Sequence, residues 1–265
     1  MKEYPKYVWA GFDWSQAEVY ALCVASKDEQ LRKDLLSTDF HREVASSIYN
    51  IPPSEITKEQ RELSKVITYR LLYTGLDLDL SKSALYSAGF DQTNADKAIE
   101  RYRSRYPRLF DFVEEQLMSW YHSGGNIHYL LNQTKVCPVS EWLKDDLNKI
   151  RQDKQARVAI NTIAQNSIGL LMKLCYNEML SDSLIRNHTA QHIPIFDAFY
   201  FLAETSRLSE ILRRANTILT PVLRNDDFEI SMNGEWKISD KSLGELQHIE
   251  LGYSDDVLPK TYDFY

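Results

Sequence analysis

The sequence predicts an α+β fold, with a few strands near the two ends of the chain and a middle that is almost wholly helical. Three observations predict it. Residues 7–13, YVWAGFD, are a β-branched and aromatic run ending in an acid. Residues 192–203, HIPIFDAFYFLA, are two apolar runs meeting at Asp197, the pattern of a tight hairpin. Between them, 57–73, 81–121 and 157–180 carry apolar residues at helical spacing. With 265 residues and 43% hydrophobic content the chain can bury one substantial core, or two lobes sharing one.

Composition narrows the class. No stretch reaches 18 uninterrupted apolar residues and MKEYPKYVWAGFDW has no signal-peptide run, so a cytoplasmic protein with no membrane partner is expected. Cys23, Cys137 and Cys175 are odd in number, far apart and without metal spacing, which predicts buried thiols rather than a disulfide frame or zinc site. The net charge of −7 opposes general duplex binding. A nucleic-acid protein of this charge needs its basic groups in one cleft, a partner that adds grip, or both.

Taken in order, the strand at 7–13 is followed by WSQAEVYALCVA, of helical character. Residues 26–56 are polar and helical in parts, and Pro52, Pro53 and Ser54 break the chain. Thr57 with Gln60 makes a capping box for the next helix. On it Arg61, Lys65, Tyr69 and Tyr73 fall four apart and share one face, two cations leading two rings, while Leu63, Val66, Ile67, Leu71 and Leu72 are the docking side. Guanidinium and ammonium groups hold phosphate oxygens and a ring stacks on a sugar or base, so a triphosphate fits the stripe; taken alone it also fits a solvated helix face. Helix 81–121 is interrupted at Pro107, Ser123-Gly124-Gly125 stops it, and NIHYLLNQTKVCPV is β-rich. Residues 142–155 are a charged helical connector before the long helix 157–180. After the hairpin come a helix near 207–219, a strand FEISMNGEWKI, and from about Ser239 a tail with Glu245, Glu250, Asp255 and Asp256, expected to pack loosely and to serve as a docking peptide.

The row Arg61, Lys65, Tyr69, Tyr73 and Gly75 resembles the nucleotide-binding fingers helix of family A DNA polymerases, with Arg70 and Thr74 where that family has glycines. Asp13-Trp14-Ser15-Gln16-Ala17-Glu18 is similar to the family's first catalytic motif, and Phe196-Asp197-Ala198 to its third, which reads His-Asp-Glu. Arg157, Ile160, Asn161 and Gln165 match a further segment, and the motifs arrive in the family's order over residues 7–236.

The resemblance implies a palm, an antiparallel sheet with packed helices, formed by 1–20 and 127–238, with fingers at 21–126 and an acidic tail at 239–265. It implies that Asp13, the carbonyl of Trp14 and Asp197 bind metal, and that Lys65 acts with the two acids in catalysis. Arg61, Lys65, Tyr69, Gln16, Glu18 and His41 would bind the nucleotide, with Glu18 excluding a ribose 2′-hydroxyl. Tyr73, Arg157, Asn161 and Gln165 would meet the primer-template, the polar ones along the minor groove. Tyr69, where many members have Phe, implies ready acceptance of dideoxynucleotides.

If Asp13 and Asp197 meet, bare carboxylates about 4 Å apart repel by roughly 4 kcal/mol at an effective dielectric near 20, a cost that a divalent cation removes. Oxygen-only ligands favour two Mg²⁺ ions, with Mn²⁺ as a substitute. The expected function is a DNA-directed DNA polymerase, weakened by Ala198, with primer-template DNA and deoxynucleoside triphosphates as partners. Because the family carries a thumb and an exonuclease-like region ahead of the first motif, a second polypeptide supplying them is expected, as in a split phage-type enzyme working in a bacterial cytoplasm. The alternatives are an inactive polymerase-like scaffold of a replication complex, and a single-chain RNA polymerase, which Glu18 argues against.

Overall fold

The structure is a computed structural model and describes residues 6–73, 78–143, 146–251 and 259–264. In chain order it contains β1 (Tyr7–Trp14), α1 (Ala17–Ser26), α2 (Glu29–Leu35), α3 (Phe40–Tyr49), α4 (Lys58–Tyr73), α5 (Leu78–Ser87), α6 (Gln92–Arg105) and α7 (Pro107–His122). The hairpin β2 (Asn126–Tyr129) and β3 (Gln133–Val136), then α8 (Leu147–Gln152), α9 (Lys154–Ser181) and α10 (Ser183–His188), lead to β4 (Thr189–Ile195) and β5 (Ala198–Glu204). The chain closes with α11 (Leu208–Leu219), β6 (Val222–Asn225), β7 (Phe228–Ser231), β8 (Gly234–Ser239), β9 (Gln247–Ile249) and β10 (Thr261–Asp263). It divides into two compact units, residues 1–21 with 166–265, and residues 22–165.

The first unit is built on an antiparallel sheet of order β4-β5-β1-β8-β9. Period-two alternation gives the sheet two unlike faces. Phe12, Phe199 and Trp236 lie opposite one another across three strands and point inward, with the Phe12 and Trp236 ring centroids 5.1 Å apart. The indole of Trp14 donates to the Leu219 carbonyl and that of Trp236 to Asn216, which fastens α11 to this buried face. On the other face Asp13 lies between Ala198 and Glu235, and Gly11 between Tyr200 and Lys237. Gly11 is required there, because a Cβ would run into the Tyr200 ring.

Two expectations are corrected here. FEISMNGEWKI is not one strand: β7 pairs with β6, β8 pairs with β1, and Gly234 marks the change because a Cβ would collide with the Asp13 carbonyl and the Phe12 ring. The stretch after Ser239 is not loose where it is described. β9 extends the main sheet and β10 pairs in parallel with β6, next to Phe264, whose ring is fully buried; Asp255 and Asp256 lie outside the described residues.

The second unit is helical and is tied by buried carboxylates. Asp34 of α2, only 3% exposed, accepts from Arg105 Nε at 2.5 Å, from the Tyr106 hydroxyl at 2.6 Å and from Gln30. Asp28 caps α2 through Leu31 and with its other oxygen holds the backbone of Leu109. The helical stretch breaks at Pro107 as expected: α6 ends at Arg105, and Pro107 begins α7 at its first turn, where its missing N–H costs nothing. The three cysteines are buried free thiols.

Candidate active site

Asp13 stands near the end of β1, and Asp197 fills the second place of the two-residue turn that joins β4 to β5. The register that pairs Asp13 with Ala198 brings that turn beside the strand end, and the Trp14 N–H donates to the Asp197 carbonyl at 3.0 Å. The two acids are therefore brought together. The Asp13 carboxyl is held above its ordinary range first by partial burial and then by the charge of Asp197, with Lys237, its Nζ 3.8 Å from Asp13 Oδ2, acting against both. A carboxylate pair with excess negative charge and only oxygen donors suits Mg²⁺ or Mn²⁺. Among the described residues no group of three or more His, Cys, Asp or Glu side chains could hold a metal ion. Mg²⁺ needs none, since it is bound through one or two carboxylates with substrate phosphates and water.

The turn itself is strained. Phe196 has φ 54 and is 89% exposed, at the first central position, where such hairpins ordinarily use glycine. Phe196→Gly should raise stability by about 1 kcal/mol in a thermal melt, the relieved left-handed strain outweighing the extra chain entropy of glycine; a lowered melting temperature would contradict it.

After β1, Gln16 takes φ 49 and its carbonyl accepts the N–H groups of Val19 and Tyr20, so it starts α1, with Glu18 in the first turn.

In the helical unit, the capping box forms as expected, with Gln60 N–H on Thr57 Oγ1 at 3.3 Å and Thr57 N–H on Gln60 Oε1 at 2.9 Å. The docking side of α4 differs from expectation. Ser64, Ile67, Thr68 and Leu71 are buried, whereas Val66 is 48% exposed. The buried row follows three-four spacing through two small hydroxyl residues, and Ser64 satisfies itself on the carbonyls of His41 and Arg61. Lys65 is exposed, Arg61 and Tyr69 are half-buried, and the side chains of Leu72 and Tyr73, with the whole of Gly75, lie outside the described residues.

Sequence reasoning gave Asp39 no role; it caps α3 through the Arg42 N–H and takes Arg61 Nε at 2.7 Å, so the guanidinium is already oriented. Burial would raise the Asp39 carboxyl, but Arg61 and the Arg42 N–H more than offset it and hold the group low. His41 is not the surface residue that a lone histidine usually is. It is 3% exposed, its ring centroid 6.1 Å from that of Tyr69, and burial first, with Arg61 and Lys65 next, lowers its pKa to about 4. In the unfolded chain this group takes a proton near pH 6.5 and in the folded one only near 4, so stability falls as pH drops through that window. The loss from pH 7 to 4 should approach about 3 kcal/mol and be missing in His41→Gln. Urea titrations at the two pH values check it; an equal loss in both proteins would refute it.

Arg157, Asn161 and Gln165 fall on one row of the 28-residue helix α9. Gln165 is exposed and Asn161 half-buried, which does not fit a buried Asn–Gln pair. Arg157 Nη2 donates to the Gln152 carbonyl at 2.8 Å. Also missed were Glu235 and Lys237 beside Asp13; the alternation Glu-Trp-Lys-Ile signalled one charged and one apolar face, but not which strand they would oppose.

An antiparallel sheet with an acid pair at one end of its open face, in a chain with a helical second unit, defines a polymerase-type palm with fingers. The profile of DNA polymerase family A matches residues 2–241, and the chain belongs to that family. It is 28% identical to DNA polymerase I of Borreliella burgdorferi over 65% of this chain and 18% of that protein, and 21% identical to the DNA polymerase of Bacillus phage SP01 over 82% of this chain and 23% of that protein. The chain thus spans about a fifth of the length of the curated relatives it matches. In fold it is similar to the POL domain of Pol1 from M. smegmatis, solved in complex with DNA primer-template and dNTP, with TM-score 0.70 and 19% identity, covering 89% of this chain and 40% of that one. No helix among the described residues is long and apolar enough to cross a membrane.

Proposed function

We propose that this chain is the palm-and-fingers part of a DNA-directed DNA polymerase that adds deoxynucleotides to a primer 3′-end. The observation that carries the reading is the placement of Asp13 and Asp197 side by side at the end of an open sheet face. Those carboxylates and the Trp14 carbonyl would hold Mg²⁺, two ions in the full reaction, and the chemistry so supplied would be Lewis-acid help to the primer hydroxyl and the departing pyrophosphate. Arg61, oriented by Asp39, and the exposed Lys65 bind triphosphate oxygens and neutralise charge that grows on them. Tyr69 offers its ring to the incoming nucleotide, and Gln16 and His41 add to nucleotide binding. Glu18 excludes a 2′-hydroxyl. Arg157, Asn161, Gln165 and Tyr73 follow the primer-template without reading its sequence.

The experiment is primer extension by the purified chain with Mg²⁺, comparing deoxy- and ribonucleotides. Deoxynucleotide incorporation supports the reading, and its absence under every metal tried, with and without candidate partner chains, refutes it. A second polypeptide carrying a thumb or exonuclease is part of the same proposal, supported if adding candidate chains raises extension.

Ala198 favours a second reading, a catalytically weakened or inactive scaffold, because the residue across from Asp13 carries no carboxylate. A scaffold would keep its role in a replication complex after Asp13→Ala.

A further inference from the structure

Lys237 is the cation nearest the proposed catalytic acid within the described part of the first unit. It lies opposite Gly11, diagonal to Asp13, on the open face of the sheet, and reaches Asp13 Oδ2 at 3.8 Å. Its surroundings are otherwise acidic: Glu235 lies directly opposite Asp13, and Asp197 is on the adjoining turn. Gly11 presents no side chain, and the Tyr200 ring fills the space over it.

An ammonium and a dication cannot both be served at full strength by the same carboxylate oxygen, because each repels the other at about 4 Å. Resting on the polymerase reading above, we propose that Lys237 exchanges partners during loading of the site: it neutralises Asp13 when no divalent ion is bound and turns to a phosphate of the primer-template when one is. Both ends of the exchange are ordinary chemistry for lysine, a compact charge on a flexible stem that contacts carboxylate and phosphate equally well. An acidic chain gains most from such a cation, since each phosphate contact releases a counterion.

The exchange makes two predictions of opposite sign for one substitution. In the full chain, Lys237→Gln and Lys237→Met should bind Mn²⁺ about three- to tenfold more tightly, read by electron paramagnetic resonance without nucleotide. The same variants should bind a dideoxy-terminated primer-template more weakly, with the log–log salt slope shallower by about one in fluorescence anisotropy. Lys237→Arg should keep both properties near those of the parent. An ordinary surface ion pair would leave both unchanged. Unchanged or weaker Mn²⁺ binding, or an unchanged salt slope, in either variant that melts like the parent overturns the proposal. Failure of the polymerase reading is distinguishable: there, Asp13→Asn would leave Mn²⁺ binding intact in a chain that still carries Lys237.

Discussion

Asp13→Asn is expected to lower kcat/KM for primer extension by about 10³-fold or more, with little change in the melting temperature. The substitution keeps size and hydrogen-bonding capacity but removes the negative charge that a divalent ion requires. Asp13 is only partly buried and its described ion pair is with Lys237 at 3.8 Å, so its loss should not unfold the sheet. Asp197→Asn should act in the same direction, and the double variant should cost little beyond either single one, because both acids serve one ion. Single-turnover extension at saturating nucleotide and stepped Mg²⁺ checks this. Additive losses from the two acids would mean that they work apart.

Lys65→Ala should reduce kcat by about 10²- to 10³-fold, the usual effect of removing one preorganised charge from developing anionic oxygens. Unlike Arg61, which is engaged with Asp39 and Glu62, Lys65 lies exposed on the outer row of α4. The contrast predicts different signatures. Lys65→Ala should act mainly on kcat, while Asp39→Asn, which loosens Arg61, should act mainly on the KM for nucleotide. Lys65→Arg should recover part of the rate. A Lys65→Ala variant with parental kcat would remove α4 from the chemistry.

Much of this was legible in the sequence because it is local. The capping box at Thr57, the strand before Asp13 and the hairpin around Asp197 each follow from a few neighbouring residues. The outward row of α4 was legible for the same reason, but its inward row was not. Ser64 and Thr68 are small enough to let the helix approach its neighbours, and that close approach turns Val66 outward. The burial of His41 was not legible because it is set by α4, a different stretch of the chain. Glu235 and Lys237 were overlooked because strand register is a tertiary fact. Their charges alternate with Trp236 and Ile238 as any half-buried strand would, and only pairing with β1 puts them beside Asp13. The tail was misread because short strands such as β9 and β10 draw their stability from the sheets they join, not from their own composition.

The measurement that tests the shared metal centre most directly is metal-directed cleavage of the backbone. With Fe²⁺ in place of Mg²⁺ and ascorbate and peroxide added, radicals form at the bound ion and cut the chain within a few ångströms. Fragments ending near both Asp13 and Asp197 should appear together and be suppressed by excess Mg²⁺. Cleavage at one acid without the other would contradict a common centre formed by these two residues.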